Sequence, residues 1–96
     1  MNDVTFKWDE EKNLMNHRKH KIWFREAATV FDDEKAKYIS DVEHSDNEER
    51  FIVIGLSDFP RLLMVCHCYR ESESVIRIIS ARKANRKETE FYGGER

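Results

Sequence analysis

The strand-like stretch at residues 75–80 constrains this chain most, because it places an arginine inside a run of branched aliphatic residues. Four of its six residues are Val or Ile, which favour a pleated, buried strand, whereas Arg77 near its centre does not. An unpaired buried guanidinium would cost several kcal/mol. The side chain of Arg77 must therefore pair with a carboxylate, reach water or face a groove.

The charge of this 96-residue chain is high but balanced. Charged residues make up 38% of the sequence, against about 25% in an average domain. The 17 Lys and Arg residues nearly cancel the 19 Asp and Glu residues, leaving a formal net charge of −2. This balance argues against a protein whose whole surface attracts polyanions. Bases gather in residues 12–21 and 77–87, so a local basic site is still compatible with the sequence.

Length and hydropathy predict a single domain, residues 1–96, in the cytoplasm. No apolar run approaches the ~18 residues of a membrane span. The start Met1-Asn2-Asp3 lacks the basic and then apolar order of a signal peptide. Cys66 and Cys68 should share one strand face, which favours buried thiols over a disulfide or a metal site.

The order of predicted elements indicates an α+β fold: two N-terminal helices, a mainly antiparallel sheet of about four to five strands, and one C-terminal helix. A short strand should precede a helix at 10–19, with Asp9 as N-cap and with Leu14 and Met15 at its buried edge. The second helix carries an apolar stripe from Phe24 to Phe31. Strands are predicted at 36–42, 50–57, 61–70 and 74–81, a polar loop at 43–49, and the last helix at 83–92, ended by Gly93-Gly94.

The strand pairing predicts where polar side chains could meet. A turn centred on Phe59-Pro60 would place Arg50 and Tyr69 on the face of His67, and a loop of residues 71–73 would place Arg77 opposite His67. A shorter second loop would bring Ser80 and Arg82 onto that face instead. Arginine and histidine together could clamp a phosphate and move protons. In the competing interpretation, the arginines pair with acids such as Glu26 or Glu43, and His67 is a core residue.

The basic run at residues 17–21 has two interpretations as well. It could be a solvated helix end that complements the helix dipole, or part of a nucleic-acid contact. His17 and His20 are three residues apart, but no third metal ligand follows at helical spacing. We therefore expect no metal site there.

Motifs along nearly the whole chain resemble the BrnT family of toxins. They are Phe6-Lys7-Trp8-Asp9, Asn16, Lys19-His20, Phe24, Glu26-Ala27, Phe31, Glu49-Arg50, Gly55, Arg61-Leu62-Leu63, the segment from Arg77 to Ala84, Glu88 and Tyr92. One departure is Lys21, where the family commonly has glycine.

The resemblance implies a RelE-like domain that cuts RNA without a metal or organic cofactor and thereby inhibits translation. It also implies a neutralising ribbon-helix-helix antitoxin of the BrnA type in a 2:2 complex, with operator DNA contacted only through the antitoxin. The alternatives are a non-catalytic RNA- or protein-binding module, or a scaffold whose arginines are all internally paired.

Carried over residue by residue, the resemblance supplies Lys19, His20, Glu26, Arg50, Arg77, Ser80 and Arg82 as polar site residues. His67 is added from the predicted strand pairing, and Lys21 and Lys83 from the two basic runs. The predicted catalytic residues are Arg50, Arg77, Arg82, His20, Glu26 and His67. The predicted RNA-binding residues are Lys19, Lys21, Ser80 and Lys83. Arg77 and Arg82 differ in parity, so a regular strand cannot present both on one face. Either a bulge or the strand's end near Ser80 reorients Arg82, or one of the two arginines is structural.

Overall fold

The computed structural model describes residues 4–44, 48–70 and 72–94. Its helices and strands follow the predicted order, with the last helix starting three residues later than predicted. They are β1 (Thr5–Lys7), α1 (Glu10–His20), α2 (Phe24–Thr29), β2 (Lys37–Ser40), β3 (Phe51–Leu56), β4 (Leu62–Arg70), β5 (Ser72–Lys83) and α3 (Arg86–Gly93). Residues 45–47 of the predicted loop at 43–49 lie outside the described residues. Within the described part, no helix is long and apolar enough to cross a membrane.

The five strands form one mixed sheet in the order β1-β5-β4-β3-β2. Strands β2 to β5 pair antiparallel, as the sequence predicts, whereas β1 pairs parallel to β5 at the sheet edge. This parallel pair sets Lys7 beside Arg77. The α+β class is confirmed, and β1 adds a parallel edge to the mainly antiparallel sheet.

Helix α1 begins where the sequence predicts and is held by polar rather than apolar side chains. The carboxylate of Asp9 accepts hydrogen bonds from the amides of Glu11 and Lys12 and so caps the helix. The expectation that Leu14 and Met15 form its buried edge is wrong, because they are 44% and 61% exposed.

The buried residues of α1 are two asparagines one helical turn apart, Asn13 and Asn16, and they anchor the helix. The Asn13 amide oxygen accepts from the amide of Phe24 at 2.8 Å. The Asn16 amide donates to the carbonyls of Ala81 and Ile22, both at 2.9 Å, and accepts from the Ala81 amide at 3.1 Å. Beyond the end of β1, Asn16 therefore satisfies the open edge of β5 as a neighbouring strand would.

The hydrophobic core lies between α2 and one face of the sheet, called here the core face. Buried Phe24, Ala27 and Val30 pack on Val65 and Ile78 of this face. The predicted stripe of α2 is confirmed at its centre, although the helix gives way to a 3-10 turn at Val30–Asp32.

The observed register overturns the predicted polar cluster. The predicted turn places Arg50 opposite Tyr69, but the observed pairing is shifted by one residue and puts Phe51 opposite His67. Arg77 lies opposite Cys68 and not opposite His67. Because a shift of one residue moves a strand's side chains to the other face, Arg77 faces away from His67. The alternative register is also wrong, since Ser80 pairs with Cys66 and not with a residue of the His67 face.

A β-bulge in β5 explains how Arg77 and Arg82, which are an odd number of residues apart, can lie on one face. Cys66 pairs with Ser80 while the next residue, His67, pairs with Ile78, so Ile79 is an extra residue in the ladder. Beyond the bulge, Arg82 pairs with Met64. Met64 and Cys68 are four residues apart on β4, so Arg77 and Arg82 point to the same face.

Candidate functional site

The face of the sheet opposite the core face carries Arg70, Arg77, Ser80 and Arg82, and is called here the arginine face. These residues are brought together by the antiparallel pairing of β4 with β5 and by the bulge at Ile79. Cys66 and Cys68 lie beneath them as buried free thiols, as predicted. Burial, the largest cause, raises the pKa of both cysteines, so they stay protonated and uncharged.

Arg77 faces a groove, one of the three possibilities that its place in an aliphatic strand allowed. Its side chain is half-buried and lines a pocket of about 330 Å³ together with Lys7, Trp8, Asp9 and Arg70. Within the described ranges, no side-chain hydrogen bond or ion pair holds its guanidinium. The interpretation that Arg77 pairs with an internal acid is therefore wrong for this part of the chain.

Arg82 is held in place by a carboxylate of α3. Its two terminal nitrogens each donate to one oxygen of Glu88 at 2.9 Å. Glu88 also accepts from the Asn85 amide, completing a capping box at the start of α3. Burial raises the pKa of Glu88, but the hydrogen bonds from Arg82 and Asn85 outweigh it, so the pKa is lower than usual. About a third of the Arg82 side chain remains exposed (33%).

The C-terminal half of α1 forms a groove with β5 at the bulge. This groove has a volume of about 600 Å³ and is lined by Lys12, Met15, Asn16, Arg18, Lys19, His20, Ile79 and Ser80. Three of the sequence-predicted residues, Lys19, His20 and Ser80, are thus brought together. Its basic walls favour an anionic ligand.

Among the titratable side chains that line this groove, His20 has a clearly shifted pKa. Burial, and then the charges of Lys19 and Arg82, lower its pKa below the usual value for histidine. The arginine face and the groove adjoin at Ser80, which belongs to both. At neutral pH the imidazole is therefore predominantly neutral and able to accept a proton.

Arg50 lies at the start of β3, and its guanidinium is 3.9 Å from the Glu48 carboxylate. The same carboxylate binds Arg70 at 3.0 Å. Arg50 is therefore linked to the arginine face through a shared acid rather than grouped with His67.

Glu26 is separated from the arginine face by a closed network of its own. Arg61 donates to both of its oxygens, at 2.8 and 2.6 Å, and the Ser57 hydroxyl donates at 2.7 Å. The hydrogen bond from Arg61, against the opposing effect of burial, lowers the pKa of Glu26. Because this carboxylate is ionised and both of its oxygens accept hydrogen bonds, we infer that Glu26 positions Arg61 and does not transfer protons.

His67 occupies the core face and is 0% exposed. The rings of Phe31, Phe51 and Tyr69 surround it with centroids at 4.8, 6.1 and 5.5 Å. Its Nδ1 lies 3.3 Å from the Val65 carbonyl, and burial lowers its pKa to about 4. The buried position agrees with the core-histidine interpretation, although the Nε2 atom has no hydrogen-bond partner among the described residues.

Lys21 and Lys83 are not among the residues that line the groove of the other RNA-binding candidates. The Lys21 ammonium donates to the carbonyl of Arg18 at 3.4 Å. The Lys21 carbonyl accepts a hydrogen bond of 3.4 Å from Arg61. Lys83 pairs with Leu63 of the core face, and its charge lowers the pKa of Glu26. The backbone of Lys21 and the charge of Lys83 therefore belong to the surroundings of the Glu26 network.

Sequence reasoning missed Arg70 and the contribution of Lys7 and Trp8 to the pocket at Arg77. The Phe-Lys-Trp-Asp motif was visible, but its parallel pairing with β5 follows from the tertiary fold. In the described segments, no group of three or more His, Cys, Asp or Glu side chains is arranged to hold a metal ion.

Comparison with known proteins identifies a family and a similar solved structure. The family described as "Ribonuclease toxin, BrnT, of type II toxin-antitoxin system" matches residues 8–88. The structure resembles the 1.1 Å crystal structure of the Brucella abortus ribonuclease toxin BrnT, with a TM-score of 0.64 and 21% identity, over 86% of this chain and 99% of that chain. No curated protein matches the sequence significantly. At this identity the structural likeness supports the fold, while the family match covers most of the chain.

Proposed function

Because the chain belongs to the BrnT family of ribonuclease toxins of type II toxin-antitoxin systems, we propose that it is a metal-independent endoribonuclease that halts translation in the cytoplasm. The observation that carries this proposal is the bulge at Ile79, which turns Arg77 and Arg82 to one face. Without the bulge, the two strongest candidate phosphate ligands would lie on opposite sides of the sheet.

In this proposal, the residues at the end of α1 and beyond the bulge supply a base and positive charge for RNA cleavage by the 2′-hydroxyl. Neutral His20 serves as the base that takes the proton from the 2′-hydroxyl. The 2′-oxygen bonds to the adjacent phosphorus as the bond from phosphorus to the 5′-oxygen breaks, which leaves a 2′,3′-cyclic phosphate. Water supplies the proton that the leaving 5′-oxygen takes up. Arg82 and Lys19 stabilise the negative charge that grows on the phosphate as it becomes pentacoordinate. Ser80 lies in the same groove and offers a hydroxyl to the substrate. Glu88 acts through Arg82 as a positioning residue.

The test compares Arg77→Ala and Arg82→Ala with the wild-type protein for RNA cleavage, growth arrest on expression and melting temperature. Loss of a charge-stabilising donor of this kind lowers kcat by about 100-fold, so we expect Arg82→Ala to lose cleavage to that extent. Arg86→Ala is the matched control, because Arg86 is 90% exposed on α3. Cleavage in the presence of a chelator tests metal independence.

The proposal fails if the purified protein leaves RNA intact both free and on ribosomes and its expression does not slow growth. RNA binding that survives without any cleavage would favour the non-catalytic binding module instead. A fall in melting temperature alone for Arg82→Ala would assign that arginine to the scaffold.

We also propose that the antitoxin is a BrnA-like ribbon-helix-helix protein that binds the toxin in a 2:2 complex and makes the operator contacts. The net charge of −2 supports this division, since a toxin of that charge is not adapted to coat duplex DNA. Co-expression with the protein encoded beside it, followed by the mass of the purified complex, tests the stoichiometry. A toxin that binds operator DNA by itself would contradict the assignment.

A further inference from the structure

The pocket at Arg77 collects three cationic side chains from three strands. Lys7 of β1 pairs directly with Arg77 of β5, and Arg77 pairs with Cys68 of β4. Arg70, two residues beyond Cys68, shares its face and lines the same pocket of about 330 Å³. Trp8 and Asp9 complete the lining.

Like charges on directly paired strand positions destabilise a sheet, so the pair of Lys7 and Arg77 has an unfavourable energy in the free protein. The acids nearby are already engaged. Asp9 caps α1 through its Oδ1, and Glu48 binds Arg70 at 3.0 Å. In the described parts of the chain, no acid forms an ion pair with Lys7 or Arg77. An anion in the pocket would remove the repulsion between them.

The distance from the groove distinguishes this pocket from the proposed reaction centre. Arg77 and Arg82 pair with Cys68 and Met64, which are separated by roughly 14 Å at about 3.4 Å per residue. In addition, Glu88 holds the Arg82 guanidinium against α3, whereas Arg77 lines the pocket with Lys7 and Arg70. The two arginines therefore bind different phosphates if they bind the same RNA chain.

We propose that Lys7, Arg70 and Arg77 form a second phosphate subsite, which binds a phosphodiester of single-stranded RNA away from the bond that is cut. The aromatic wall at Trp8 contacts the attached nucleoside. This inference rests on the proposed function for its substrate. It adds that the enzyme holds RNA at two separate phosphates along β5, so very short oligonucleotides that span only the reaction centre bind weakly.

The experiment measures binding of a 2′-O-methyl RNA oligonucleotide, which the wild-type protein cannot cut by 2′-hydroxyl attack. Affinity is measured over a range of salt concentrations for wild type, Lys7→Ala, Arg70→Ala and the control Lys35→Ala, in which an exposed lysine of the turn before β2 is removed. Each single-stranded phosphate contact contributes about 0.7 to the slope of log affinity against log salt. Because the subsite binds one phosphate, we expect Lys7→Ala and Arg70→Ala each to lower that slope by up to this amount, and Lys35→Ala to leave it unchanged.

Inorganic phosphate gives a readout that does not depend on RNA. It should raise the melting temperature of the wild type more than that of Lys7→Ala. Since Lys7 is exposed and repels Arg77, Lys7→Ala should fold at least as stably as the wild type in phosphate-free buffer.

The outcomes separate this inference from the proposed function. If cleavage proceeds while Lys7→Ala and Arg70→Ala keep the wild-type salt slope, the subsite is wrong and the function stands. If the protein cuts no RNA but the slope falls in both variants, the subsite stands and the function is wrong. If these variants weaken only neutralisation by the antitoxin, the pocket binds an acidic protein segment and the RNA subsite is overturned.

Discussion

The guanidinium of Arg82 and the carboxylate of Glu88 form two parallel hydrogen bonds of 2.9 Å that join β5 to the first turn of α3. This pair fixes the direction of an arginine at the proposed reaction centre and closes a capping box at the same time. A bidentate pair holds both partners in one geometry. Helix α3 is therefore part of the site although its described residues include none that is buried.

The first prediction separates the two roles of Glu88. Glu88→Ala and Asn85→Ala should each lower stability by about 1 kcal/mol, because either change removes one half of the helix cap. Only Glu88→Ala releases Arg82. We expect its kcat for RNA cleavage to fall about tenfold while RNA affinity does not fall, since the arginine loses its orientation but keeps its charge. Equal cleavage by the two variants would contradict the positioning role.

The second prediction concerns the polar anchor of α1. Asn16→Ala leaves the amide and carbonyl of Ala81 and the carbonyl of Ile22 without their partner. Unfolding in urea should show a loss of about 3 kcal/mol or more, since each buried unsatisfied group costs about 1–3 kcal/mol. Asn13→Ala, which removes the acceptor of one backbone amide, should lose less. A larger loss for Asn13→Ala would reverse this ranking of the two asparagines.

The third prediction is a pH dependence caused by His67. Its pKa in the folded protein is about 4, below the ordinary value of 6.5. The unfolded chain therefore binds more protons between these values, and stability falls as the pH decreases from about 6.5 to 4. The full effect is about 3 kcal/mol.

His67→Phe suits the aromatic surroundings and cannot be protonated, so its unfolding free energy should vary less over that interval. His20 also has a lowered pKa and contributes in the same direction in both proteins. The measurement is denaturant unfolding at a series of pH values. Parallel curves for the two proteins would show that His67 is not the source.

The fourth prediction concerns the end of α1. Lys21 has a φ of 64°, in the left-handed region, where the resemblance led us to expect glycine. Lys21→Gly removes the steric strain of a Cβ atom in this conformation and should stabilise the protein by about 1 kcal/mol. Arg18→Gly, inside the helix, should instead destabilise it by a similar amount. Thermal unfolding of both variants checks the sign.

The fifth prediction tests the position of Glu26. Arg61→Ala leaves a carboxylate that is only 8% exposed without its bidentate partner. We expect a loss of about 3 kcal/mol in stability, reduced from the fully buried case by the partial exposure of the pair. RNA cleavage per folded molecule should remain close to the wild-type value. If Arg61→Ala had normal stability but no longer cut RNA, the result would indicate that Glu26 belongs to the reaction centre.

Local chemistry along the chain determined most of the elements. Asp9, the apolar stripe beginning at Phe24 and the runs of branched aliphatic residues each specify a cap, a helix or a strand through contacts within a few residues. The family motifs in the sequence also named Arg77 and Arg82. These signals are short-range, so they can be read without knowing which strands are neighbours.

Only the tertiary structure decided how these elements meet. The register of β3 and β4, the parallel pairing of β1 and the bulge at Ile79 depend on long-range packing, and strand side chains alternate between faces with a period of two. A shift of one residue therefore placed His67 in the core and Arg77 over a groove. The bulge then returned Arg82 to the face of Arg77. The sequence by itself identified the arginines, and the sheet determined which of them share a face.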